Sequence, residues 1–217
     1  MKKLKTGDGS WTFLNDTFKE TYHSISGAEE EAFKKYAAPC KIKELAKKGV
    51  IRILDICFGI GYNTAATLDV ALKENPDCKI EVVGLEADEE ILKKIILMKT
   101  RFKNYGLLQE MVESNYELKH RNVHMKIIVG DARETVKHLK GEFDVCFFDP
   151  FSPARHPEMW SEEFLKDVGE RIRRGGILAT YSCATMVRIN LVRAGFDVRD
   201  GPIVGRRSPA TVAEKVY

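Results

Sequence analysis

Residues 51–63, IRILDICFGIGYN, constrain the fold of this chain more than any other stretch. Ile51, Ile53, Leu54 and Ile56 form a short apolar run with the length and composition of a fully buried strand. Asp55 sits near its carboxyl end. Gly59 and Gly61 then let the backbone turn sharply and approach a ligand closely, which a Cβ would obstruct. Residues 64–73 read as the helix that follows. Strand, glycine turn and helix in that order make a nucleotide-type cofactor site at the mouth of a parallel sheet. Such a turn is common on its own. It gains weight because three later strand-like runs also end in acids, at Glu86, Asp131 and Asp149.

Residues 79–86 (KIEVVGLE) alternate and end in an acid, and 87–98 are predicted as a helix with Asp88 as N-cap. A strand over 124–130 precedes a helix over 131–139. Residues 143–149 (FDVCFFD) are predicted as a strand running into a turn at 150–153, and 176–182 (GILATYS) as another strand. Repeated alternation of strand and helix is the pattern of a doubly wound α/β sheet. In such sheets ligands bind beyond the carboxyl ends of the strands, where all four acids should lie.

The acids also discriminate among cofactors. A dinucleotide site would place a third small residue after the glycines, but this chain has Thr64 there, and no arginine cluster marks a diphosphate. Glu86, 25 residues after Gly61, is placed to accept hydrogen bonds from both ribose hydroxyls. Asp131 and Ala132 would meet an adenine amino group, although Asp131 and Glu134 also form a capping box. Glycine loop, ribose acid, adenine acid and fourth-strand acid in that order resemble the class I S-adenosylmethionine methyltransferases. The resemblance implies an α/β, Rossmann-like, doubly wound, mostly parallel sheet with an antiparallel last strand. It makes Asp55, Phe58, Gly59, Gly61, Asn63, Glu86, Asp131, Ala132 and Tyr22 the candidates for binding S-adenosylmethionine. The usual acid-x-Gly-x-Gly-x-Gly motif is altered here, with Cys57 at the first glycine.

A length of 217 residues suits one α/β domain able to bury a core, and 44% hydrophobic with 31% charged residues describes a globular protein. No apolar run approaches the ~18 residues of a membrane span, and the start MKKLKTGDGSW lacks a signal-peptide core. A cytoplasmic location without membrane association is therefore expected. The five cysteines are scattered without any CxxC, which suits reduced thiols, and the five histidines lack metal-ligand spacing, so no metal site is expected. A net charge of +3 permits a nucleic-acid substrate without requiring one. Basic residues gather at Lys93 to Lys103, at Arg171 to Arg174, and at Arg206 and Arg207. The last pair, between Gly205 and Pro209, falls in a loop between strands expected over 196–199 and 210–216 and is suited to a phosphate contact.

Residues 1–40 read as an arm distinct from the methyltransferase domain over 41–217. Residues 11–22 are mixed and strand-like. Ser26 and Glu29 are spaced as a capping box opening a helix to about Ala38, stopped by Pro39. Such an arm would pack over the cofactor cleft and offer Glu20, Tyr22, His23 and Ser24 as lid residues. His23 is a candidate base, although a lone loop histidine is ordinarily just exposed.

The chemistry concentrates at Asp149, Pro150 and Phe151. In methyltransferases that act on amines, the fourth strand ends in an acid or amide followed by proline and an aromatic. A sulfonium methyl is already electrophilic, so the enzyme must mainly align a lone pair with the S–CH₃ bond. A carboxylate at Asp149 can hold the amine there, whether or not it takes the proton that an ammonium must lose. Phe151 would wall off water.

Residues 147–160 (FFDPFSPARHPEMW) and 175–198 (GGILATYSCATMVRINLVRAGFDV) resemble the methyltransferase domain of the MnmC family, which modifies the tRNA wobble uridine. Residues 6–33 are similar to its stand-alone members. The resemblance implies methylation of the exocyclic amine of 5-aminomethyl(-2-thio)uridine in tRNA, with Asp149 as the key substrate-orienting residue. It further implies that Arg155, a lysine in bifunctional members, faces substrate or phosphate with altered geometry. A flavin-dependent domain, present in bifunctional members, has no room in this chain, so no flavin is expected. A docked partner protein or a homodimer would supplement the modest positive charge in holding tRNA. Two other readings stand beside this one: a methyltransferase for a free amine or polyamine, and a cofactor-binding subunit without turnover. The intact motif at Asp149 argues against the second.

Overall fold

The computed structural model describes residues 1–217. A hairpin of β1 (Lys2–Lys5) and β2 (Trp11–Leu14) leads to α1 (Ala28–Glu31), which widens into a π-helical stretch, Ala32–Ala37. There follow α2 (Ile42–Lys47), β3 (Val50–Ile56), α3 (Tyr62–Glu74), β4 (Lys79–Glu86), α4 (Glu89–Lys94), α5 (Tyr105–Glu113), β5 (Glu117–His120), β6 (Val123–Val129) and α6 (Ala132–Thr135). The chain closes with β7 (Phe143–Phe148), α7 (Glu162–Gly169), β8 (Ile172–Thr180), α8 (Thr185–Arg193), β9 (Phe196–Asp200) and β10 (Thr211–Lys215).

Strands β3 to β10 form one sheet in the order β5-β6-β4-β3-β7-β8-β10-β9. β6, β4, β3, β7 and β8 are parallel, while β10 inserts antiparallel between β8 and β9. This is the mostly parallel α/β sheet with an antiparallel last strand that the sequence implies. A second antiparallel strand, β5, borders β6 at the far edge. The apolar run of β3 is continuous because both its faces are covered. Ile51 and Ile53 pack with Leu68 and Tyr36 on one face, and Leu54 and Ile56 pack with Trp160, Phe164 and Leu165 on the other. Each such side chain, fully buried, contributes about 1.5–3 kcal/mol. Phe13 and Tyr36, from the first forty residues, bury in the same core as β3 and α3.

Three local expectations are corrected. The helix expected over 131–139 is a single turn, α6, followed by a 3₁₀ turn at Val136–His138, and the one over 87–98 ends in a 3₁₀ turn at Ile95–Leu97. The capping box at Ser26 and Glu29 does not form: Gly27 occupies the N-cap without a side-chain bond. The hairpin supplies the acceptors instead, with Ala28 N donating to Ser10 Oγ at 3.2 Å and Glu30 N to Asp8 Oδ2 at 2.9 Å. A carboxylate is a stronger acceptor than a hydroxyl, and Glu29 is drawn away to Arg101 at 2.6 Å. Asp88, by contrast, caps α4 as expected, accepting from Glu90 N and Ile91 N.

From β3 the chain runs to β4 on one side, while β7 adds on the other. The sheet order therefore reverses between β3 and β7, and the crevice for a ligand opens there.

Candidate active site

The turn after β3 folds back over β4, with Cys57 N and Phe58 N both donating to Leu85 O at 2.9 and 3.1 Å. Cys57 adopts φ 63°, the left-handed conformation that a glycine would take at this position. A residue bearing a Cβ pays about 1–2 kcal/mol for it. Gly61 (φ 73°) is required by packing, because a Cβ there would collide with Leu108 and Phe58. At Gly59 (φ 57°) an added Cβ would meet only ordinary contacts, the nearest being Tyr22 Cδ1 at 3.6 Å, so its backbone conformation is what favours glycine.

The four strand-end acids have distinct surroundings. Asp55 is 0% exposed; its Oδ2 accepts from Thr64 Oγ1 at 2.7 Å while Oδ1 has no partner. Burial, aided by the charges of Asp149 and Glu86, raises its pKa well above the usual carboxylate value. Glu86 accepts from Gly59 N at 2.8 Å and from Asp88 N at 2.9 Å, so it locks the glycine turn to the end of β4. Burial raises its pKa despite those donors. Asp131 caps α6 through Arg133 N, and the Arg133 guanidinium at 2.6 Å lowers its pKa.

Asp149 follows β7 directly. Tyr36 Oη donates to its Oδ1 at 2.5 Å and Asn63 Nδ2 to its Oδ2 at 3.2 Å. Burial, then the charge of Glu31, push its pKa up to about 7 against those two hydrogen bonds and the charge of Lys35. Glu31 and Lys35 form an ion pair of 2.5 Å, one helical turn apart, and Glu31 also accepts from Ser24 N at 2.9 Å.

These groups border a cleft of about 740 Å³, within the ~300–1,000 Å³ range of small-molecule sites. Of the nominated residues, Tyr22, Gly59, Glu86, Asp131, Ala132, Asp149, Phe151 and Arg206 line it. Asp55, Phe58, Gly61 and Asn63 lie behind that lining, and Arg155 and Arg207 are exposed outside it. The segment after β2 crosses the mouth. Glu20 accepts from Ser152 N at 2.8 Å and from Ser152 Oγ at 2.5 Å, Tyr22 Oη donates to Asp88 Oδ2 at 2.7 Å, and the Phe18 ring stacks on Phe151 and His156. His23 is buried rather than exposed; burial lowers its pKa to about 4, so it is neutral near physiological pH. The turn after Asp149 is stiffened by Trp160 Nε1, donating to Phe151 O at 2.8 Å, and by Tyr181 Oη, donating to Pro150 O at 3.0 Å.

Sequence reasoning missed Glu31, Lys35 and Tyr36 altogether. The acid and lysine four residues apart read as an ordinary solvated helix pair. Only the fold, which lays this helix against β7, turns them inward.

Comparison with known proteins agrees with this architecture. A sequence profile described as S-adenosyl-L-methionine-dependent methyltransferase matches residues 96–216. An uncharacterized protein of Methanocaldococcus jannaschii is 33% identical over 218 residues, spanning 98% of this chain and 59% of that protein. The tRNA 5-methylaminomethyl-2-thiouridine biosynthesis bifunctional protein MnmC of Aromatoleum aromaticum is 29% identical over 91% of this chain, which spans only 32% of that protein. The crystal structure of MNMC2 from Aquifex aeolicus superposes with a TM-score of 0.85 at 32% identity, covering 98% of this chain and 70% of that one. Spermidine synthase from Thermotoga maritima, at 14% identity and a TM-score of 0.57 over 98% of this chain and 71% of that one, shares the fold. No helix is long and apolar enough to cross a membrane.

The cleft fits S-adenosyl-L-methionine. Glu86, Asp88 and Asp131 line it with acceptors suited to hydroxyls, amines and a sulfonium, Leu85, Ala132 and Met159 give apolar surface, and Gly59 leaves backbone bare. The profile covers more than half of the chain, and the MNMC2 structure matches it over nearly the whole length. The chain belongs to the S-adenosyl-L-methionine-dependent methyltransferase family and is related to the methyltransferase domain of MnmC.

Proposed function

We propose that this protein methylates the aminomethyl group of 5-aminomethyl(-2-thio)uridine at the wobble position of tRNA. One observation carries the reading beyond the family: a carboxylate held by Tyr36 and Asn63, Asp149, directly follows β7 inside a cleft walled by Phe151 and Tyr181. Likeness to MNMC2 and to MnmC, whose name specifies 5-methylaminomethyl-2-thiouridine biosynthesis in tRNA, supports the choice of amine.

Bound S-adenosyl-L-methionine supplies a methyl group on a positively charged sulfur. Gly59, Glu86, Asp131, Ala132 and Tyr22 would hold the cofactor. Asp55, Phe58, Gly61 and Asn63 would set the loop behind it. Asp149 would accept a hydrogen bond from the substrate amine and orient its lone pair. An alkylammonium must first lose a proton, and a carboxylate titrating near 7 is matched to receive it. Tyr36 and Asn63 fix the Asp149 carboxylate in place. Phe151 and Phe18, stacked at 4.6 Å, would exclude water from the reacting pair.

Residues 1–40 would serve as an arm over the cofactor, latched by Glu20 on Ser152. Arg206 would meet substrate or a phosphate at the mouth, and Arg155 and Arg207 would contact the tRNA backbone further out. No flavin enters this reaction. A partner protein or a second copy of the chain would extend the surface available to tRNA. The test is methyl transfer, under one set of conditions, to tRNA bearing the aminomethyl base and to spermidine or 1,4-diaminobutane. Transfer to tRNA alone supports the reading, and transfer only to the free amines refutes it.

A further inference from the structure

Glu31 and Lys35 form a buried ion pair on the first helix. Lys35 is 2% exposed and Glu31 8%, yet both line the same cleft as Asp149. Burying a charge is costly unless it is paired. The pair is held in place: Glu31 Oε1 takes the Lys35 ammonium at 2.5 Å, and Oε2 takes Ser24 N at 2.9 Å. The next residue, Tyr36, donates to Asp149. This stretch therefore sets a carboxylate and an ammonium along the cleft and a phenol against Asp149.

We propose that Lys35 is the residue that fixes the charge of the amine site, cancelling Glu31 so that the site takes one ammonium group and rejects a second. This rests on the reading of Asp149 as the amine-orienting carboxylate. With Lys35 charged, Glu31 and Asp149 together present at most one net negative charge. Without it they would present up to two, when both are ionised, the kind of pocket that suits a diamine. A lone aminomethyl group on a nucleoside fits the first, and an α,ω-diamine fits the second.

The groups that face Asp149 come from four sides. Glu31, Lys35 and Tyr36 belong to the first helix, Asp55 and Cys57 to the end of β3 and its turn, Asn63 to α3, and Tyr181 to the segment after β8. Among them Glu31 raises the proton affinity of Asp149 and Lys35 lowers it. The two members of one ion pair thus act on the carboxylate with opposite sign.

The test titrates the Asp149 side-chain carboxyl by ¹³C NMR in the parent, Lys35→Met, Glu31→Gln, Lys35→Arg and the double variant Glu31→Gln/Lys35→Met. The signal is assigned by its loss in Asp149→Asn. The midpoint is expected to rise by about one unit, tenfold in proton affinity, in Lys35→Met and to fall by about as much in Glu31→Gln. Lys35→Arg should return it toward the parent. The double variant leaves no unpaired buried charge, so it should fold even where a single variant does not, and it should titrate close to the parent. Binding of 1,4-diaminobutane should tighten at least about tenfold in Lys35→Met relative to Lys35→Arg. Shifts of the same sign in the two single variants, a double variant displaced by about a unit from the parent, or unchanged diamine affinity would each overturn the proposal. If the parent methylates no tRNA amine, the proposed function falls, and the titration still decides the role of Lys35.

Discussion

Tyr36 donates its phenolic hydrogen to Asp149 Oδ1 at 2.5 Å across 113 positions of sequence. The contact joins the helix after the N-terminal hairpin to the carboxyl end of β7, at the point where the sheet order reverses. It aims one carboxylate oxygen and leaves the other to Asn63. Loss of the hydroxyl in Tyr36→Phe removes a donor that favours the ionised acid. The acid limb of the rate profile should then move up by about one pH unit, with kcat falling about tenfold below it. A pH series of kcat on the two proteins checks this.

Asp149 itself sets stability against function. Its folded pKa of about 7 lies above the ordinary 3.8, so the folded state binds the proton more tightly than the unfolded state. Its contribution to stability is present in full below that ordinary value and is lost as pH rises through the folded value. Asp149→Asn should therefore unfold at a higher temperature than the parent near pH ~8, and at about the same temperature near pH ~4. Turnover should fall by more than about a hundredfold while cofactor affinity is kept. Calorimetry at the two pH values, cofactor titration and a methyl-transfer assay read the three effects.

Cys57 holds a left-handed backbone conformation at φ 63°. Cys57→Gly should relieve that cost and raise stability by about 0.5–1 kcal/mol in chemical denaturation, with the turn unchanged. A loss of stability would mean that the thiol packs more usefully than its backbone conformation costs.

Glu86 ties the turn to β4 through Gly59 N and Asp88 N. Glu86→Ala should free both donors, weaken S-adenosyl-L-methionine binding by about tenfold or more, and lower thermal stability. Isothermal titration beside a melting curve separates the two effects.

How much of this was legible in the sequence depended on the range of the interactions. The glycine turn, the buried run of β3 and the acids that end β4 and β7 are local patterns, and each falls at its expected place in the fold. Asp88 was readable as a cap because its partners lie two and three residues away. Ser26 and Glu29 were misread because Asp8 and Ser10, from the hairpin, compete for the same backbone groups. Tyr36, Glu31 and Lys35 could not be read at all. Their meaning comes from a packing partner more than a hundred residues away, and their own spacing is that of any solvated helix. β5 was hidden because a four-residue edge strand, ELKH, has no apolar run to mark it.

The most direct measurement incubates the protein with labelled S-adenosyl-L-methionine and tRNA carrying 5-aminomethyluridine, without flavin, then digests the tRNA and identifies the labelled nucleoside. Asp149→Asn, shown to bind the cofactor, serves as the control. Label in 5-methylaminomethyluridine with the parent, and its loss with Asp149→Asn, is the predicted result. Undiminished transfer by Asp149→Asn, or no label in that nucleoside when the parent binds its cofactor, would contradict it.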